Sequence, residues 1–243
     1  LNEVMTYSFI NPNNFDKMLL ADNDARRQAI ELMNPLSDEF KVMRTSMLPG
    51  MLNTAAYNQA RQAESVKIFE IGKVFLPKAL PLKELPEEKL VLCAVLTGRR
   101  SSLNWTEPKD EVDFYDMKGV VEGMLESLQM TDVKFVPVEQ PYLHPGKSCA
   151  VEAGGKVIGW FGELHPTAAA NFDLNGGVCV LELEVAPLVA TATNVPQFVH
   201  LPKYPATSRD IAVVVPLNVS MEELENVVRT NAGALLKKVQ VFD

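Results

Sequence analysis

A chain of 243 residues that is 47% hydrophobic and 22% charged can bury a proper core, and this composition argues against long-range disorder. Its formal net charge of −8 has the wrong sign for a free-standing nucleic-acid-binding domain, although local basic patches are compatible with it. Three cysteines without a CxxC pair argue against a disulfide framework or a zinc ribbon and favour a reducing compartment, and no apolar stretch approaches the roughly 18 residues of a membrane helix.

The first quarter of the chain predicts a strand and one long helix. Residues from Glu3 to Ile10 alternate between two faces, as a half-buried strand does. A Pro49-Gly50 pair then opens a helix predicted from about Leu48 to Arg61, where proline is tolerated because the N–H groups of the first turn lack helical partners anyway. Because the chain begins in a strand-like run and without a signal peptide, we expect it to be a piece of a longer polypeptide.

The middle of the chain predicts most of a sheet. Val66 to Leu76 is rich in β-branched and aromatic residues and predicts a strand, in which Gly72 indicates a bulge or bend. Leu90 to Leu96 is an unbroken apolar run and predicts a central strand. Helical spacing of apolar residues predicts a helix from Phe114 to about Gln129, and Gly154-Gly155 predicts the turn of a hairpin.

A proline-containing, loop-like segment indicates a domain boundary late in the chain. We expect a first domain at 1–190, a linker at 191–205 and a second domain at 206–243.

The last segment is predicted to be a β-α-β unit. Its strands are expected at Arg209 to Val215 and Lys237 to Phe242, with a helix from Met221 to about Leu236 between them. Ser220 and Glu223 form a capping-box pattern at the start of that helix. A unit of about 45 residues is small for an independent domain, so we expect it to be half of one.

Few residue patterns point to chemistry. His144, His165 and His200 lack the spacing of a metal site, and two of them stand in His-Pro turns, so no metal site is expected. Asp113 and Asp116 lie near a helix start, where the helix dipole favours acids, and this interpretation outweighs a general acid or base.

Two groups of cations are candidates for contacts with RNA. Arg99-Arg100, with Trp105 not far along the chain, has the charge and the ring for phosphate contact and base stacking, but a solvated loop is the alternative. In the C-terminal segment, phosphate contacts are conceivable at four residues, for which a solvated surface is again the alternative: Lys203, Arg209, Lys237 and Lys238.

Five sequence blocks together resemble one family. They are NPLSDEFKVMRTSMLPGMLNTAAYNQAR, VKIFEIGKVF, VDFYDMKGVVEGML, YLHPGKSCAVEAGGKVIGWFGELHP and YPATSRDIAVVVP. In this order, along nearly the whole chain, they are similar to the β subunit of bacterial phenylalanyl-tRNA synthetase. The resemblance implies an α+β chain: a catalytic-like module with the class II aminoacyl-tRNA synthetase fold, an antiparallel sheet flanked by helices. A partial ferredoxin-like β-α-β unit, the truncated start of an anticodon-binding domain, would follow.

The same resemblance assigns a role to the helix that Pro49-Gly50 opens. In class II synthetases the first signature motif forms a subunit interface, and the comparable residues here would dock the catalytic α subunit: Arg44, Ser46, Leu48, Pro49 and Leu52. Leu48→Asp or Leu52→Asp is then expected to block docking without unfolding the chain. An ordinary core helix is the alternative.

The second and third class II motifs depart from the family pattern. Leu76 and Lys78 stand where an Arg and a Glu would grip ATP and the amino acid. The run from Gly176 to Glu184 carries acids and lacks the Arg that would bind the γ-phosphate. A carboxylate facing a triphosphate repels it, so we expect no activation of phenylalanine by this chain.

The implied function is that of a β-subunit fragment of phenylalanine–tRNA ligase, which attaches phenylalanine to its tRNA using ATP. The chain would be a non-catalytic scaffold that docks the catalytic α subunit and helps to hold tRNA, in a cytoplasmic α2β2 assembly without membrane contact. It would bind no cofactor itself, whereas the holoenzyme needs ATP and magnesium. A catalytically competent aminoacyl ligase paralogue and a stand-alone RNA-binding module are the alternatives.

Overall fold

The structure is a computed structural model that describes residues 1–102, 104–106, 108–130, 132–192, 198, 200–201 and 203–242. The chain divides into two compact units, Leu1–Pro196 and Gln197–Asp243. None of the helices within these described ranges has the length and apolarity needed to cross a membrane.

Strands and helices of the first unit follow one another in a mixed order. Its strands are β1 (Asn2–Glu3), β2 (Phe9–Ile10), β3 (Val42–Met43), β4 (Ser65–Leu76), β5 (Glu87–Gly98), β6 (Val133–Pro137), β7 (Leu143–Ala153), β8 (Lys156–Leu164) and β9 (Val178–Glu184). Its helices are α1 (Asn14–Lys17), α2 (Leu48–Gln59), α3 (Phe114–Ser127), α4 (Pro166–Asn171) and α5 (Val185–Thr191), and short 3₁₀ turns lie at Ala25–Arg27 and Asp38–Phe40.

Seven of these strands form one sheet in the order β1-β4-β5-β9-β8-β7-β6. All its neighbours are antiparallel except β1, which runs parallel to β4 at the edge. Strands β2 and β3 form a separate two-stranded ladder. The prediction of an α+β chain is confirmed.

The central strand prediction is also confirmed, because β5 lies between β4 and β9. Alternate residues of β5 face two different cores, which explains why the run has no polar alternation. Val91, Cys93 and Val95 face the core that contains α2, while Ala94 and Leu96 face the core that contains α3.

Two hairpins build most of the sheet. Strands β4 and β5 pair without a break from Ser65↔Gly98 to Leu76↔Glu87, so the bulge predicted at Gly72 is wrong. Strands β7 and β8 are joined by Gly154 and Gly155 with φ of +57° and +73°, as a two-residue hairpin turn requires, and that prediction is confirmed.

The strand predicted from Glu3 to Ile10 exists only at its ends, as β1 and β2. Between them Val4 still donates to the carbonyl of Phe69, but the next donor, the N–H of Thr6, bonds to the side-chain carboxylate of Glu70. The chain leaves the strand ladder at this point, because the N–H of Thr6 bonds to a side chain instead of to the backbone of β4.

The second unit contains one helix, α6 (Met221–Ala232), followed by a 3₁₀ turn at Gly233–Leu235. The predicted capping box is confirmed, with Ser220 and Glu223 bonded reciprocally. The strands predicted at Arg209 to Val215 and Lys237 to Phe242 are wrong, because these described residues form no ladder. In a split β-α-β unit the two strands flanking the helix are separated by a third, so they cannot pair with each other.

Candidate functional site

The start of α2 lies on a row of polar side chains that crosses the sheet. Glu70 on β4 pairs in register with Cys93 on β5, Cys93 with Glu182 on β9, and Glu182 with Trp160 on β8. Both carboxylates are buried. A buried carboxylate needs hydrogen-bond donors or a cation, and the segment that precedes α2 supplies them.

Arg44 neutralises Glu70. The Arg44 guanidinium is only 4% exposed, and its Nη1 lies 3.0 Å from Glu70 Oε1. Its Nε donates to the carbonyl of Lys73 at 2.8 Å. Thr6 donates to the other carboxylate oxygen from both its N–H, at 3.0 Å, and its hydroxyl, at 2.7 Å. Every oxygen of this buried ion pair is therefore bonded, which is the condition under which such a pair is tolerated.

Glu182 holds the first residue of the helix. Its carboxylate accepts from the N–H of Met47, the N-cap of α2, at 2.8 Å and from the hydroxyl of Ser46 at 3.2 Å. Burial raises the pKa of Glu182, and the hydrogen bonds from Met47 and Ser46 oppose that rise, as do the charges of Arg26 and Arg44. An acid at a helix N-terminus is also favoured by the helix dipole.

Arg26 closes the cluster on its other side. Asp24 binds this guanidinium at 2.6 Å, and the hydrogen bond from Arg26 lowers the pKa of Asp24. Nη1 of Arg26 donates to Gln140 and to the hydroxyl of Tyr142. The carbonyl of Arg26 accepts from the hydroxyl of Thr45 at 2.6 Å, so this turn is tied to the segment that precedes α2.

The cluster offers no accessible nucleophile. Burial raises the pKa of the Cys93 thiol and of the Tyr142 hydroxyl, with Glu182 adding to both shifts. Both groups therefore stay protonated and enclosed at neutral pH. What this arrangement does is fix the position of α2 over the sheet.

The five residues assigned to α-subunit docking come together at this cluster, but their side chains face the interior. Arg44 and Ser46 bind Glu70 and Glu182, and Pro49 is buried. Leu48 and Leu52 are both 0% exposed and pack in the core. Leu48→Asp or Leu52→Asp would bury an unpaired charge, so the expectation that such variants stay folded is wrong.

The opposite side of α2 faces solvent. Tyr57 is 58% exposed, and the guanidinium of Arg61 stacks on its ring at 3.3 Å from the centroid. Asn53, one turn earlier, is exposed as well. The sequence analysis did not single out these residues. Asn53 and Tyr57 on the helix, with Arg61 just after its end, form the surface that a partner can reach.

The residues that depart from the second and third class II motifs make their contacts within this chain. Leu76 is the last residue of β4, and Lys78 lies 3.2 Å from Glu84 in the loop that follows. Glu184 lies 2.8 Å from Lys89 on β5.

The four cations predicted to contact RNA are exposed. Lys203, Arg209, Lys237 and Lys238 lie on either side of α6 in segments without strand pairing. Arg209 donates to the carbonyl of its neighbour Ser208.

Sequence reasoning missed Glu70, Glu182, Arg26 and Thr6. A signal for the two glutamates was present, since each interrupts an apolar strand, IFEIG or VLELE, and charged residues are buried only when they are paired. Their partners lie far away along the chain, and nothing in the sequence pairs them.

Family models match both units. The model described as the phenylalanyl tRNA synthetase beta chain CLM domain matches residues 1–185, and that of the ferredoxin-fold anticodon binding domain matches residues 202–243.

Curated relatives named phenylalanine--tRNA ligase beta subunit match as well. That of Symbiobacterium thermophilum is 38% identical over 100% of this chain and 27% of its own length, and that of Moorella thermoacetica is 37% identical over 100% and 30%. A third, from Geobacter metallireducens, is 40% identical over 88% of this chain and 27% of its own length. The chain thus spans less than a third of these relatives.

Proposed function

Since this chain belongs to the family of phenylalanyl-tRNA synthetase β chains, we propose that it is a non-catalytic scaffold of phenylalanine–tRNA ligase. It docks the catalytic α subunit and helps to hold the tRNA, in a cytoplasmic α2β2 assembly. The first unit is a class II synthetase module, in keeping with its mostly antiparallel sheet and flanking helices. The domain boundaries are 1–190, 191–205 and 206–243.

One observation supports the scaffold role above the others: the two buried acids beneath α2, Glu70 and Glu182, are both bound by the segments that position this helix. Glu70 is bound by Arg44 and Thr6, and Glu182 by Met47 and Ser46. Electrostatic catalysis of adenylate formation needs cations placed toward the phosphates, and the two arginines of this cluster, Arg44 and Arg26, are already paired with Glu70 and Asp24. ATP and magnesium therefore bind elsewhere in the holoenzyme, and this chain carries no cofactor.

Docking uses the outer face of α2. The buried residues contribute indirectly, because they fix the helix on the sheet: Arg44, Ser46, Leu48, Pro49 and Leu52. The exposed residues Asn53, Tyr57 and Arg61 then make the contacts. An exposed tyrosine next to an arginine is the composition that binding hot spots favour.

The docking experiment mixes this chain with the catalytic α subunit and measures the mass of the complex by size-exclusion chromatography with light scattering. We expect a complex that Tyr57→Asp weakens at least tenfold, roughly the loss of one hot-spot side chain. Leu85→Asp is the matched control, since Leu85 is an exposed apolar residue in the loop after β4. A complex that tolerates Tyr57→Asp as well as Leu85→Asp would contradict docking by this face.

Two further measurements separate the alternatives. Phenylalanine-dependent exchange of pyrophosphate with ATP by this chain alone would contradict the non-catalytic role.

Binding of tRNA should weaken as the salt concentration rises. The double variant Lys237→Gln and Lys238→Gln should reduce the slope of the logarithm of the binding constant against the logarithm of the salt concentration, by about one for each phosphate contact that is lost. An unchanged slope would remove these two lysines from the tRNA interface.

A further inference from the structure

An open cavity of about 320 Å³ lies at the edge of the sheet, where β4 begins and β5 ends, away from the polar cluster beneath α2. It is lined by Asn2, Glu64, Ser65, Lys67, Arg99, Ser101 and Ser102. Its volume falls at the lower end of the range of small-ligand sites. The lining is polar throughout, so an apolar ligand is not what this cavity would take.

Donors outnumber acceptors around this cavity. Lys67 and Arg99 bring two positive charges against the single carboxylate of Glu64. The amide of Asn2 and the hydroxyls of Ser101 and Ser102 add neutral donors, while the hydroxyl of Ser65 donates to the carbonyl of Arg99. Glu64 offsets Arg99 only loosely, at 3.6 Å from its Nε. The amino group of Lys67 donates to the carbonyl of Arg100, which holds this lysine at the cavity without cancelling its charge.

One donor in the lining has no partner. Nη1 of Arg99 is buried and makes no hydrogen bond to any residue that the structure describes. A buried guanidinium nitrogen without an acceptor is costly. A ligand in the open cavity meets the exposed part of the Arg99 side chain, which is 28% exposed.

The neighbouring arginine is committed elsewhere. The guanidinium of Arg100 binds Asp116 at 2.9 Å, Asp113 at 3.1 Å and Asp110 at 3.4 Å. Of the Arg99-Arg100 pair only Arg99 therefore has donor capacity for a ligand. Arg100 offsets part of the negative charge of these three carboxylates.

We propose that this cavity is a binding site for a phosphate group, bound by Lys67 and Arg99 with help from the hydroxyls of Ser101 and Ser102. Arginine forks and lysine point charges are the usual ligands of phosphate oxygens. The group belongs either to an RNA backbone or to a free nucleotide. Trp105, three positions after Ser102 in the sequence, is 95% exposed, so its ring is accessible for stacking on a base from either source.

This inference is independent of the proposed scaffold function, because it concerns binding by this chain without the α subunit. The probes are inorganic phosphate, adenosine monophosphate and a single-stranded ten-nucleotide uridine RNA, each titrated calorimetrically into the unmodified chain at low salt. We expect all three to bind, and Lys67→Gln and Arg99→Gln each to weaken binding roughly tenfold. Glu64→Gln, which removes the opposing carboxylate, should tighten it.

Lys73→Gln is the matched control, since Lys73 lies on the same strand, loses the same charge and pairs with Glu88 outside the cavity. Tighter binding of the RNA than of the nucleotide would identify a backbone phosphate as the ligand, and the reverse order would identify a nucleotide; either supports the site. Absence of binding by all three probes, or equal weakening by Lys67→Gln and Lys73→Gln, would overturn it. Because Glu64→Gln should strengthen binding, the test does not depend on variants that lose function by misfolding.

Discussion

At position 72 the backbone of β4 passes so close to the cluster beneath α2 that only a hydrogen atom fits on its Cα. A Cβ there would meet the guanidinium of Arg44, Met47 Cε at 2.8 Å and Glu70 Oε1 at 2.9 Å. The glycine therefore serves close approach of side chains and not a bulge in the strand pairing. Single residues in this chain are explained by what the tertiary fold brings near them.

Gly72→Ala should destabilise the first unit by about 1–3 kcal/mol, the usual cost of overpacking a closed site. Urea unfolding followed by circular dichroism measures this. Gly119→Ala is the control, because nothing lies within 4 Å of a Cβ at that position of α3. Removing a helical glycine there should stabilise by about 0.5–1 kcal/mol. Equal stability of Gly72→Ala and the unmodified chain would show that the cluster can move aside.

Glu182→Gln should change the pH dependence of stability. Burial raises the folded-state pKa of Glu182 above its ordinary value of 4.5. The folded state then holds this proton more tightly than the unfolded state does, so the contribution of Glu182 is full below the ordinary pKa and is lost as pH rises through the raised one. Glutamine keeps an acceptor for the N–H of Met47 and does not titrate.

The measurement is the difference in unfolding free energy between the unmodified chain and Glu182→Gln at about pH 4, below the ordinary carboxyl pKa, and at about pH 7.5. The variant should gain relative to the unmodified chain as the pH rises. All other titrating groups are common to both proteins and largely cancel. A difference that is constant over this range, or that changes in the other direction, would contradict a raised pKa.

Among the elements, α2 has two faces with different roles. Its inner face, with Leu48, Met51, Leu52 and Ala55, is fully buried against β4 and β5, and its outer face carries Tyr57. The start of the helix is positioned by the carboxylate of Glu182, which binds the N–H of Met47, and by the hydroxyl of Ser46, which accepts from the N–H of Leu48. An element held this way presents its outer face in a fixed orientation, which is what a docking surface requires.

Leu52→Ala should cost about 2–5 kcal/mol in unfolding free energy, because it removes fully buried methyl groups and leaves a cavity. Tyr57→Ser on the outer face should change stability by roughly 0.5 kcal/mol or less, as surface substitutions do. Urea unfolding of both variants gives the comparison. Similar losses for the two would mean that the outer face is packed as well.

At the scale of the whole molecule, the two units differ in how their backbone is satisfied. In the first unit, the long strands are hydrogen-bonded to one another in one sheet, and alternate residues of these strands contribute to two hydrophobic cores. In the second unit, the segments on either side of α6 are exposed and form no ladder among the residues that the structure describes, although they alternate apolar residues such as Ile211 and Val213. Unpaired extended segments expose their N–H groups to water.

Hydrogen exchange should therefore separate the units. Amides at 209–215 and 237–242 should exchange within seconds, while those of β5 should be protected by the ladders on both sides. Exchange followed by mass spectrometry on one sample of the unmodified chain supplies both readings, with β5 as the internal control. Slow exchange at 209–215 would mean that these residues are paired after all.

What the sequence alone determined was local or repetitive: the central strand at Leu90 to Leu96, the hairpin turn at Gly154-Gly155, the capping box of Ser220 and Glu223, the main helices, and the family through its long blocks. These follow from periodicity, turn chemistry and short-range bonding, which a single stretch contains. The tertiary structure decided the rest, because the deciding contacts join residues far apart in the chain. Glu70 meets Arg44 and Thr6, Glu182 meets Met47 across 135 positions, and Gly72 makes room for them. The same reason explains two departures from the predictions. The residues assigned to docking face inward, and Arg209 to Val215 form no strand ladder, because burial and strand pairing depend on neighbours that cannot be identified from a linear pattern.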